Sequence, residues 1–599
     1  MYQYKAPIRD MNFVLHELLQ VEKHYRAMGA YGETDRAVMD SILAMSAQFA
    51  ERELVPINQS GDIEGCQFNN GVVTTPKGFK EAYASYASLG LGALAEPEFR
   101  GGHGQPPSLA MACNEMIGGA NRAWGMYPCL NHGAIKSIAA HGSAEQVETY
   151  LPRLVSGEWL ATMCLTESHA GSDLGLVRTR AETNADGSYR ISGTKIFISG
   201  GEHDFTSNIV HIVLARLPDA PAGSKGISLF IVPKFLVNAD GTLGERNTAS
   251  CGSIEHKMGL KGSATCVINF DAATGYLIGE PHKGLSYMFI FMNSARLGVA
   301  LQGVAGMDTT YQASLAYAKD RLAMRSLSGA KMPDKPADAI LVHPAVRSML
   351  LTQKAFAEGG RAMTYWLAVQ EDILQSSPDE ALRQRADMVL SLMTPIAKAV
   401  LTEFGLEAAK HGIQIYGGHG FIREWGMEQM ARDARVSTLY EGTTEIQGLD
   451  LLGRKVLANH GQQLSLLIGI IKEFCQAHAS DTAMQPYVET LDNLLNEWQQ
   501  VTQRIGVRAM ANRDEVGAAA VDYLYFSGYV LLAYFWAMMA QTAQQALAAG
   551  VAKDSPDEIF YRAKIETAEF YFKKLLPRSR THLACIDAGE SALMAVNLF

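Results

Sequence analysis

The sequence predicts an α+β fold built from four consecutive domains. Apolar residues recur at helical spacing in residues 1–160 and again in 283–460. Between them, residues 161–282 carry β-rich stretches that predict strands at 189–198, 208–215, 226–232 and 266–270. Helical patterns continue through 461–599. We therefore expect an N-terminal helical domain, a middle β domain, a helical bundle domain and an extra C-terminal helical domain.

Composition is that of a large globular protein. The chain has 599 residues, of which 48% are hydrophobic and 9% aromatic, so several domains are expected. The eight cysteines show neither metal-ligand spacing nor a disulfide framework, which predicts no metal and a reducing compartment. The first ten residues lack the apolar core of a signal peptide and the character of a transit peptide. We expect a bacterial cytoplasmic enzyme.

An uncharged run from Tyr523 to Met539 lies inside the last predicted domain. A membrane-spanning helix normally needs about 20 apolar residues, and this shorter run contains four tyrosines and a tryptophan. A helix buried in a bundle or in a dimer interface is the preferred interpretation, with no transmembrane span. Peripheral membrane contact stays open, although net acidic charge disfavours anionic lipid.

Tyr440-Glu441-Gly442-Thr443 is the most informative short motif. It sets one carboxylate between a bulky aromatic residue and a glycine. A solvated glutamate has a pKa of about 4 and is a poor base, whereas apolar surroundings raise the pKa and make the carboxylate useful for proton abstraction. An ordinary surface turn is the alternative for the motif taken alone.

Three further segments accompany this motif in a fixed order. A β-rich stretch ends in Cys164–Asp173, and Gly193–Gly201 follows it. The glycine-rich turn Gln414–Glu424 comes after a predicted helix over 394–411. Paired glycines at such a turn allow another backbone or a ligand to approach closely.

In order and spacing, these segments resemble the acyl-CoA dehydrogenase family of flavoproteins, over roughly Tyr83 to Ala458. The resemblance implies FAD as cofactor, removal of hydrogens from Cα and Cβ of an acyl-CoA thioester, and a trans-2-enoyl-CoA product. Glu441 is then the catalytic base. Some relatives carry the base on an earlier helix, directly before an arginine that is Arg296 here, but this chain has Ala295 at that place.

The resemblance gives Glu441 a second role. Its backbone N–H, with a ribityl hydroxyl of the flavin, is expected to hold the thioester oxygen while the carboxylate takes the α-proton. Each such donor contributes about 10²–10³ in rate. Tyr440 and Gly442 are expected beside the substrate. The acyl chain would lie between the flavin ring and the Glu441 carboxylate.

Flavin contacts are implied on two strands of the middle domain. The main chain near Met163 and Leu165 and the hydroxyl of Thr166 are expected at the pyrimidine side of the ring. Phe197 is expected to cover the ring and Ser199 to approach N5. Without the resemblance, these residues would be taken as a core strand with a Thr-Glu turn and an aromatic core residue.

Other flavin contacts are implied across a subunit boundary. Arg321 fits an arginine that pairs with the FAD pyrophosphate of the neighbouring subunit, a role suited to guanidinium. The family usually shows Phe-Gly where this chain has Met324-Arg325. How residues 323–325 contact the FAD of the neighbouring subunit is therefore left open. The remaining implied flavin contacts are Gln414, Gly417, Gly418, Thr443 and Glu445. A shared site of this kind implies at least a dimer.

CoA contacts are implied at Ser172, Asn293 and Arg296. A plain turn serine is the alternative for Ser172. Arg296 lies in an apolar helix and must pair with a partner, and a structural ion pair is the alternative to the CoA contact. The extra C-terminal domain is similar to that of the very-long-chain and methylmercaptopropionyl-CoA dehydrogenases, in which it packs where shorter relatives form tetramers. We therefore expect a homodimer.

Substrate and electron acceptor are less constrained. A helix over 123–133 is expected to floor the acyl pocket, and the small residues Gly125, Cys129 and Gly133 suggest room for a medium- to long-chain substrate in fatty acid β-oxidation. Trp124 and Tyr127 would close part of the pocket, and His132 is either a polar group near it or a satisfied core histidine.

Electron-transferring flavoprotein is the expected acceptor, and an acyl-CoA oxidase or a methylmercaptopropionyl-CoA-type dehydrogenase is the alternative. A nucleic-acid-binding relative would need a basic C-terminal face. The chain carries a net charge of −10, and the last domain about −4, so no nucleic acid is expected.

Overall fold

The computed structural model describes residues 4–595, which form two compact units. One unit is the continuous stretch Ser41–Gly298, and the other combines the described residues up to Asp40 with those from Val299 onward. We refer to them as the central unit and the outer unit. The predicted α+β organisation, with helical regions on both sides of a middle β region, is confirmed.

Helices and strands have the following bounds. The strands are β1 (Gln67–Asn69), β2 (Val72–Thr74), β3 (Trp159–Cys164), β4 (Arg180–Thr183), β5 (Tyr189–Ser199), β6 (Asn208–Arg216), β7 (Ile227–Pro233), β8 (Phe235–Val237), β9 (Leu243–Arg246), β10 (Ala249–Ile254) and β11 (Thr265–Ile278). The helices are α1 (Ile8–Asn12), α2 (Val21–Met28), α3 (Arg36–Phe49), α4 (Val55–Glu64), α5 (Phe79–Ser88), α6 (Pro107–Ala120), α7 (Arg122–Gly125), α8 (Asn131–His141), α9 (Ala144–Val155), α10 (Gly284–Asp320), α11 (Pro344–Ser376), α12 (Glu380–Tyr416), α13 (Met427–Arg435), α14 (Thr444–Leu449), α15 (Gln462–Ala477), α16 (Gln485–Ala511), α17 (Asp514–Ala548), α18 (Pro556–Phe570), α19 (Ser579–Ala588) and α20 (Ser591–Met594).

A seven-stranded sheet forms the middle of the central unit, in the order β10-β11-β5-β4-β6-β3, with β7 pairing to β11 and β6. The four predicted strands correspond to β5, β6, β7 and β11. Every residue of β7 is buried, which explains its continuous apolar sequence without alternation. The sheet positions the turn that leaves β3 beside the middle of β5, since Ile196 N–H donates to Thr166 O at 2.9 Å.

Two local features of the central unit differ from the sequence predictions. The chain forms a hairpin from β1 and β2, joined by Asn70 and Gly71, both with positive φ. Such an Asn-Gly pair is the usual signature of a tight hairpin turn. The helix expected over 123–133 is interrupted: α7 ends at Gly125, a short 3₁₀ turn covers Pro128–Leu130, and α8 begins at Asn131. Pro128 begins that turn, where its missing N–H is tolerated.

The predicted pocket floor is also partly filled. A side chain at Gly133 would meet the ring of Phe291 at 2.4 Å, so a core phenylalanine occupies the space beside this glycine. Trp124 is fully buried and donates to Phe79 O at 3.0 Å. Tyr127 donates its hydroxyl to Gly262 O at 3.1 Å. Helix packing therefore accounts for the glycine at position 133, and the acyl chain length stays a prediction.

Long helices form the outer unit. α10 and α12 approach closely, because a side chain at Gly303 would lie 2.4 Å from Leu401 O. α17 lies against α11, where Trp536 donates to Ala355 O at 3.0 Å. It also lies against α12, where Gly528 leaves room for Val400. The uncharged run predicted as a buried helix forms the middle of α17, and most of its side chains are buried.

Within residues 4–595, three helical stretches are long and apolar enough to cross a membrane by length and composition alone: Gly284–Asp320, Glu380–Phe421 and Asp514–Ala548. In the most apolar part of the last one, 67% of the residues are buried inside the protein. The eight cysteines lie in the described part of the chain and are all free thiols.

Both ends of the described chain meet in the outer unit. Lys564 of α18 is buried and pairs with Asp10 of α1 and, at 2.8 Å, with Glu358 of α11. Tyr561 donates its hydroxyl to Glu17 at 2.7 Å. The N-terminal segment is thus held by the C-terminal helices through buried polar contacts.

Candidate active site

Glu441 lies on a short loop between α13 and α14. The loop ends where Thr443 caps α14, its hydroxyl accepting from Ile446 N–H at 3.4 Å. Threonine at this position satisfies a helix N–H that would otherwise lack a partner. Glu441 has φ +55° and Gly442 φ +91°. A non-glycine residue in this left-handed region is strained, and the surroundings must hold it there.

Two buried side chains bind the backbone carbonyls of the two residues with positive φ. Gln447 donates from Nε2 to Glu441 O at 2.7 Å, and Lys398 of α12 donates from Nζ to Gly442 O at 2.7 Å. Both side chains are fully buried. Because two successive carbonyls are bound, these side chains fix the orientation of the main chain at Glu441.

Further contacts tie the loop to α10 and α12. The Tyr440 hydroxyl donates to Gln302 of α10, and the Thr444 hydroxyl donates to Glu403 of α12 at 2.6 Å. Glu445 is exposed, and hydrogen bonds from its own backbone N–H and from the Thr443 hydroxyl lower its pKa. Sequence reasoning missed Lys398, although a lysine inside the apolar run Pro395–Leu401 was the available signal.

In the central unit, the predicted flavin contacts Thr166, Phe197 and Ser199 lie close together. Ile196 N–H bonds Thr166 O at 2.9 Å, and the pairing of β5 with β11 shifts register at residues 196–197. Such a bulge re-aims a side chain. Phe197 has φ +59° and is 60% exposed, which explains why an aromatic residue on a strand is not part of the core here.

Polar atoms in this cluster are available for a ligand. Among residues 4–595, the hydroxyls of Thr166 and Ser199 and the N–H of Thr166 have no hydrogen-bond partner. Met163 is partly buried against the core, and Leu165 O accepts from Lys195 Nζ at 3.0 Å. An exposed ring beside unused donors fits a flat heteroaromatic ligand such as a flavin, which needs both stacking and hydrogen bonds.

A buried ion pair supports the turn that carries Thr166. Lys195 of β5 is fully buried, and its ammonium lies 2.8 Å from Glu167 Oε1. Glu167 also accepts from Thr179 Oγ1 at 2.6 Å and from the backbone N–H groups of Arg178 and Thr179. Burial alone would raise the pKa of Glu167, but the Lys195 charge and these donors lower it to about 2.

The predicted CoA contacts also lie in the central unit. Ser172 is exposed on the turn after β3, next to Asp173, whose carboxylate accepts from Gly175 N–H at 2.9 Å. Asn293 and Arg296 lie one turn apart on α10. Asn293 is exposed, whereas Arg296 is only 6% exposed. Their roles toward CoA stay predictions.

A further group of predicted residues meets at the ends of α10 and α12 in the outer unit. Tyr317 and Tyr416 stack with ring centroids 4.1 Å apart, and the Tyr317 hydroxyl bonds His419 at 2.9 Å. This stacking places Tyr317, which lies one turn before Arg321, against Tyr416, the last residue of α12 and two residues after Gln414.

The predicted residues of this group are exposed. They are Arg321, Gln414, Gly417 and Gly418. Gly417 has φ +59°, and side chains at either glycine would meet nothing within 4 Å. Arg325 of the unexpected Met324-Arg325 pair has a local role, since it donates to Met332 O at 2.8 Å and pairs with Asp338. An exposed guanidinium beside an open glycine turn fits a phosphate-bearing ligand.

Family models match most of the chain. They describe the acyl-CoA dehydrogenase N-terminal domain over residues 39–158, the middle domain over 162–273 and the C-terminal domain over 282–457. A fourth model, an acetyl-CoA dehydrogenase C-terminal-like domain, matches 467–597. The last match corresponds to the extra helical region expected from the sequence.

Curated proteins of the same length are similar along the whole chain. A 3-methylmercaptopropionyl-CoA dehydrogenase of Ruegeria pomeroyi is 39% identical over 99% of both chains. A broad-specificity linear acyl-CoA dehydrogenase of Mycobacterium tuberculosis is 33% identical over 100% of this chain and 99% of the relative.

A solved structure agrees with the fold. The acyl-CoA dehydrogenase of Bacillus anthracis, solved in complex with FAD, superposes with a TM-score of 0.74 at 21% identity, over 93% of this chain and 89% of the other. The predicted resemblance is confirmed, and with a strained glutamate on a fixed loop at the predicted position, the chain belongs to the acyl-CoA dehydrogenase family of flavoprotein oxidoreductases.

Proposed function

We propose that this protein is an FAD-dependent dehydrogenase that converts a medium- to long-chain straight acyl-CoA to the trans-2-enoyl-CoA and passes electrons to an electron-transferring flavoprotein. The observation that carries the proposal is the Glu441 loop, whose left-handed backbone is held by Gln447 and Lys398. Strain maintained by two buried donors is typical of a site where geometry matters for chemistry. Bound FAD would supply the hydride acceptor.

Glu441 would act through both of its functional groups. Its carboxylate would take the α-proton of the thioester, a step for which a positioned base contributes about 10²–10⁴ in rate. Its backbone N–H would donate to the thioester oxygen, where negative charge develops. Lys398 and Gln447 would keep these two groups in a fixed mutual orientation, so that no reorganisation is needed during the reaction.

Cofactor binding would use the two clusters described above. Thr166, Phe197 and Ser199 fit the ring portion of FAD, since they offer an exposed aromatic face and unused donors. Arg321 and Gly417 fit the phosphate-bearing portion held by a second copy of the chain. Thr443 and Glu445 would contact FAD from the same loop as the base. The active enzyme would therefore be a homodimer.

The substrate proposal has two candidates. The broad-specificity linear acyl-CoA dehydrogenase of Mycobacterium tuberculosis favours a straight chain without one fixed length. The 3-methylmercaptopropionyl-CoA dehydrogenase of Ruegeria pomeroyi has the higher identity, 39%, and favours a short thioether-containing acyl group as the second candidate. The filled space beside Gly133 weakens the case for the longest chains.

The test is anaerobic flavin reduction by purified protein. We expect a bound flavin spectrum and bleaching on addition of straight acyl-CoAs of graded length, with 3-methylmercaptopropionyl-CoA added in parallel. The fastest bleaching identifies the substrate class. Absence of bleaching by every acyl-CoA in a flavin-containing preparation would contradict the proposal. Reoxidation by air within a few turnovers would identify an oxidase. Oxygen would then replace the electron-transferring flavoprotein as the proposed electron acceptor.

Glu441→Gln tests the base directly. The variant should bind FAD normally but reduce it about 10²–10⁴ times more slowly. Glu473→Gln, at an exposed position on α15, is the matched control and should react at the wild-type rate. Reduction at the wild-type rate by Glu441→Gln would place the base elsewhere.

A further inference from the structure

Lys195 is a fully buried cation with a defined set of partners. Its ammonium donates to Leu165 O at 3.0 Å and to Glu167 Oε1 at 2.8 Å. Glu167 is bound in turn by Thr179 and by the N–H of Arg178, and His169 Nε2 lies 3.4 Å from its other oxygen. Leu165, Glu167 and His169 lie on the turn after β3, Arg178 and Thr179 lie just before β4, and Lys195 lies within β5.

Stability alone does not account for this arrangement. A buried ion pair loses about as much in desolvation as it gains in attraction, and well-packed apolar residues often replace such a pair without loss. The distinctive contact of Lys195 is the one to the Leu165 carbonyl. That contact joins a full positive charge to the peptide bond between Leu165 and Thr166.

Peptide geometry transmits this contact to the opposite side of the turn. The carbonyl and the N–H of one trans peptide point in opposite directions, so the Thr166 N–H points away from Lys195. A charged donor on the carbonyl polarises the peptide and strengthens its N–H as a donor. Within the described residues, this N–H has no acceptor, so its acceptor must be water or a ligand.

We propose that Lys195 is a positioning residue that sets the reduction potential of the bound flavin through the Leu165–Thr166 peptide, with Glu167 balancing its charge. This inference rests on the proposed function, in which the pyrimidine side of FAD lies at Thr166. Reduction adds negative charge to the flavin ring, and nearby protein charges tune that equilibrium. Lys195 then favours the reduced form, and Glu167 opposes it.

The proposal predicts shifts of opposite sign for the two partners. Lys195→Met leaves the Glu167 anion and should lower the ratio of reduced to oxidised flavin about tenfold at a given potential, which is about 30 mV for a two-electron couple. Glu167→Gln leaves the ammonium and should shift the potential upward by a similar amount. The double variant should lie between the two, and Lys195→Arg should stay near wild type.

The measurement is a reductive titration of each purified holoenzyme against a reference dye at pH 6, which favours the ammonium form. Opposite shifts support the proposal, because loss of structure alone would move both variants in one direction. Shifts of the same sign, or unchanged potentials with flavin bound, would overturn it. If Lys195→Met does not fold, Glu167→Gln decides: an upward shift supports the proposal, and no shift or a downward one contradicts it.

Failure of the proposed function has a separate signature. If wild-type protein refolded with FAD shows no flavin spectrum, the cofactor assignment fails before Lys195 is tested. If the wild type binds and is reduced by acyl-CoA but the potentials do not move, only the Lys195 inference fails.

Discussion

A buried lysine binds a backbone carbonyl both at the proposed flavin-binding turn and at the loop of the proposed base. Lys195 binds Leu165 O, and Lys398 binds Gly442 O. The sequence predicted the residues expected to touch the ligands but neither lysine, because a buried ammonium is recognised only from the carbonyl it faces. Glu441, in contrast, was predicted as the base from the resemblance that four ordered segments carry together, and that role stays a prediction.

Lys398→Met should slow flavin reduction without preventing FAD binding. The lost hydrogen bond to Gly442 O involves a charged donor, and such bonds are worth about 1.5–3 kcal/mol, or about 10–100-fold in rate if the whole loss falls on loop orientation. Stopped-flow reduction by acyl-CoA measures the effect. Lys410→Met, at an exposed position on the same helix, is the control, and an equal loss in both variants would contradict the role of Lys398.

Glu167 should make the stability of the protein pH-dependent in acid. Its pKa is lowered to about 2 in the folded state, from an unfolded value of about 4.3. The stabilisation is therefore fully present above about pH 4.3 and is lost as pH falls toward 2.

The difference in free energy of unfolding in urea between wild type and Glu167→Gln should be constant from pH 7 to about pH 5 and should narrow, without vanishing, by pH 3. Glu182→Gln, on an exposed ion pair with Arg190, serves as control. A wild-type advantage that stays constant down to pH 3 would show that the Glu167 charge does not contribute.

Helices and strands with a strong local sequence pattern were predicted well. Features that depend on packing against residues distant in sequence were not. Strands β5, β6, β7 and β11 follow from β-rich sequence, and their ends lie close to the predicted ones except that β11 extends well beyond. The break between α7 and α8 was missed, although Pro128 at the start of the intervening 3₁₀ turn was the available signal. The packing of Phe291 against Gly133 was missed as well. Sequence periodicity shows where small residues lie on a helix. It does not show which distant side chain packs against them.

Gly442→Ala should disturb the base loop. An added Cβ would lie 2.7 Å from Gln447 Nε2, and the residue has φ +91°, so the expected destabilisation exceeds about 1 kcal/mol. Thermal unfolding and the rate of flavin reduction both report it. Gly469→Ala is the matched control on α15, where an added Cβ meets nothing and alanine should stabilise by about 0.5–1 kcal/mol.

At the scale of the whole molecule, the outer unit joins distant parts of the chain. The predicted division into four domains follows the order of helical and β patterns along the sequence. The pairing of Lys564 with Asp10 and Glu358 depends on contacts between residues hundreds of positions apart. Local patterns carry no information about such pairings, so the contact of the N-terminal segment with α18 could not be predicted.

Lys564→Met should destabilise the outer unit strongly. Removing one partner of a buried ion pair costs about 3–5 kcal/mol, and because Lys354 stays paired with Glu358 we expect the lower end of this range. Lys573→Met breaks an exposed pair with Glu569 and should cost at most about 1 kcal/mol. Urea unfolding followed by circular dichroism measures both, and similar small losses would show that the N-terminal contact contributes little.

The contact between the N-terminal segment and α18 also constrains how the protein is made. On the ribosome, Ser41–Gly298 is a continuous stretch that can fold while later residues are still being added. Glu17, by contrast, must wait for Tyr561, a partner 544 residues away. The outer unit can close only after α18 has been synthesised. A nascent chain stalled before α18 should therefore expose the apolar faces of α11 and α17 and depend on chaperones until α18 emerges.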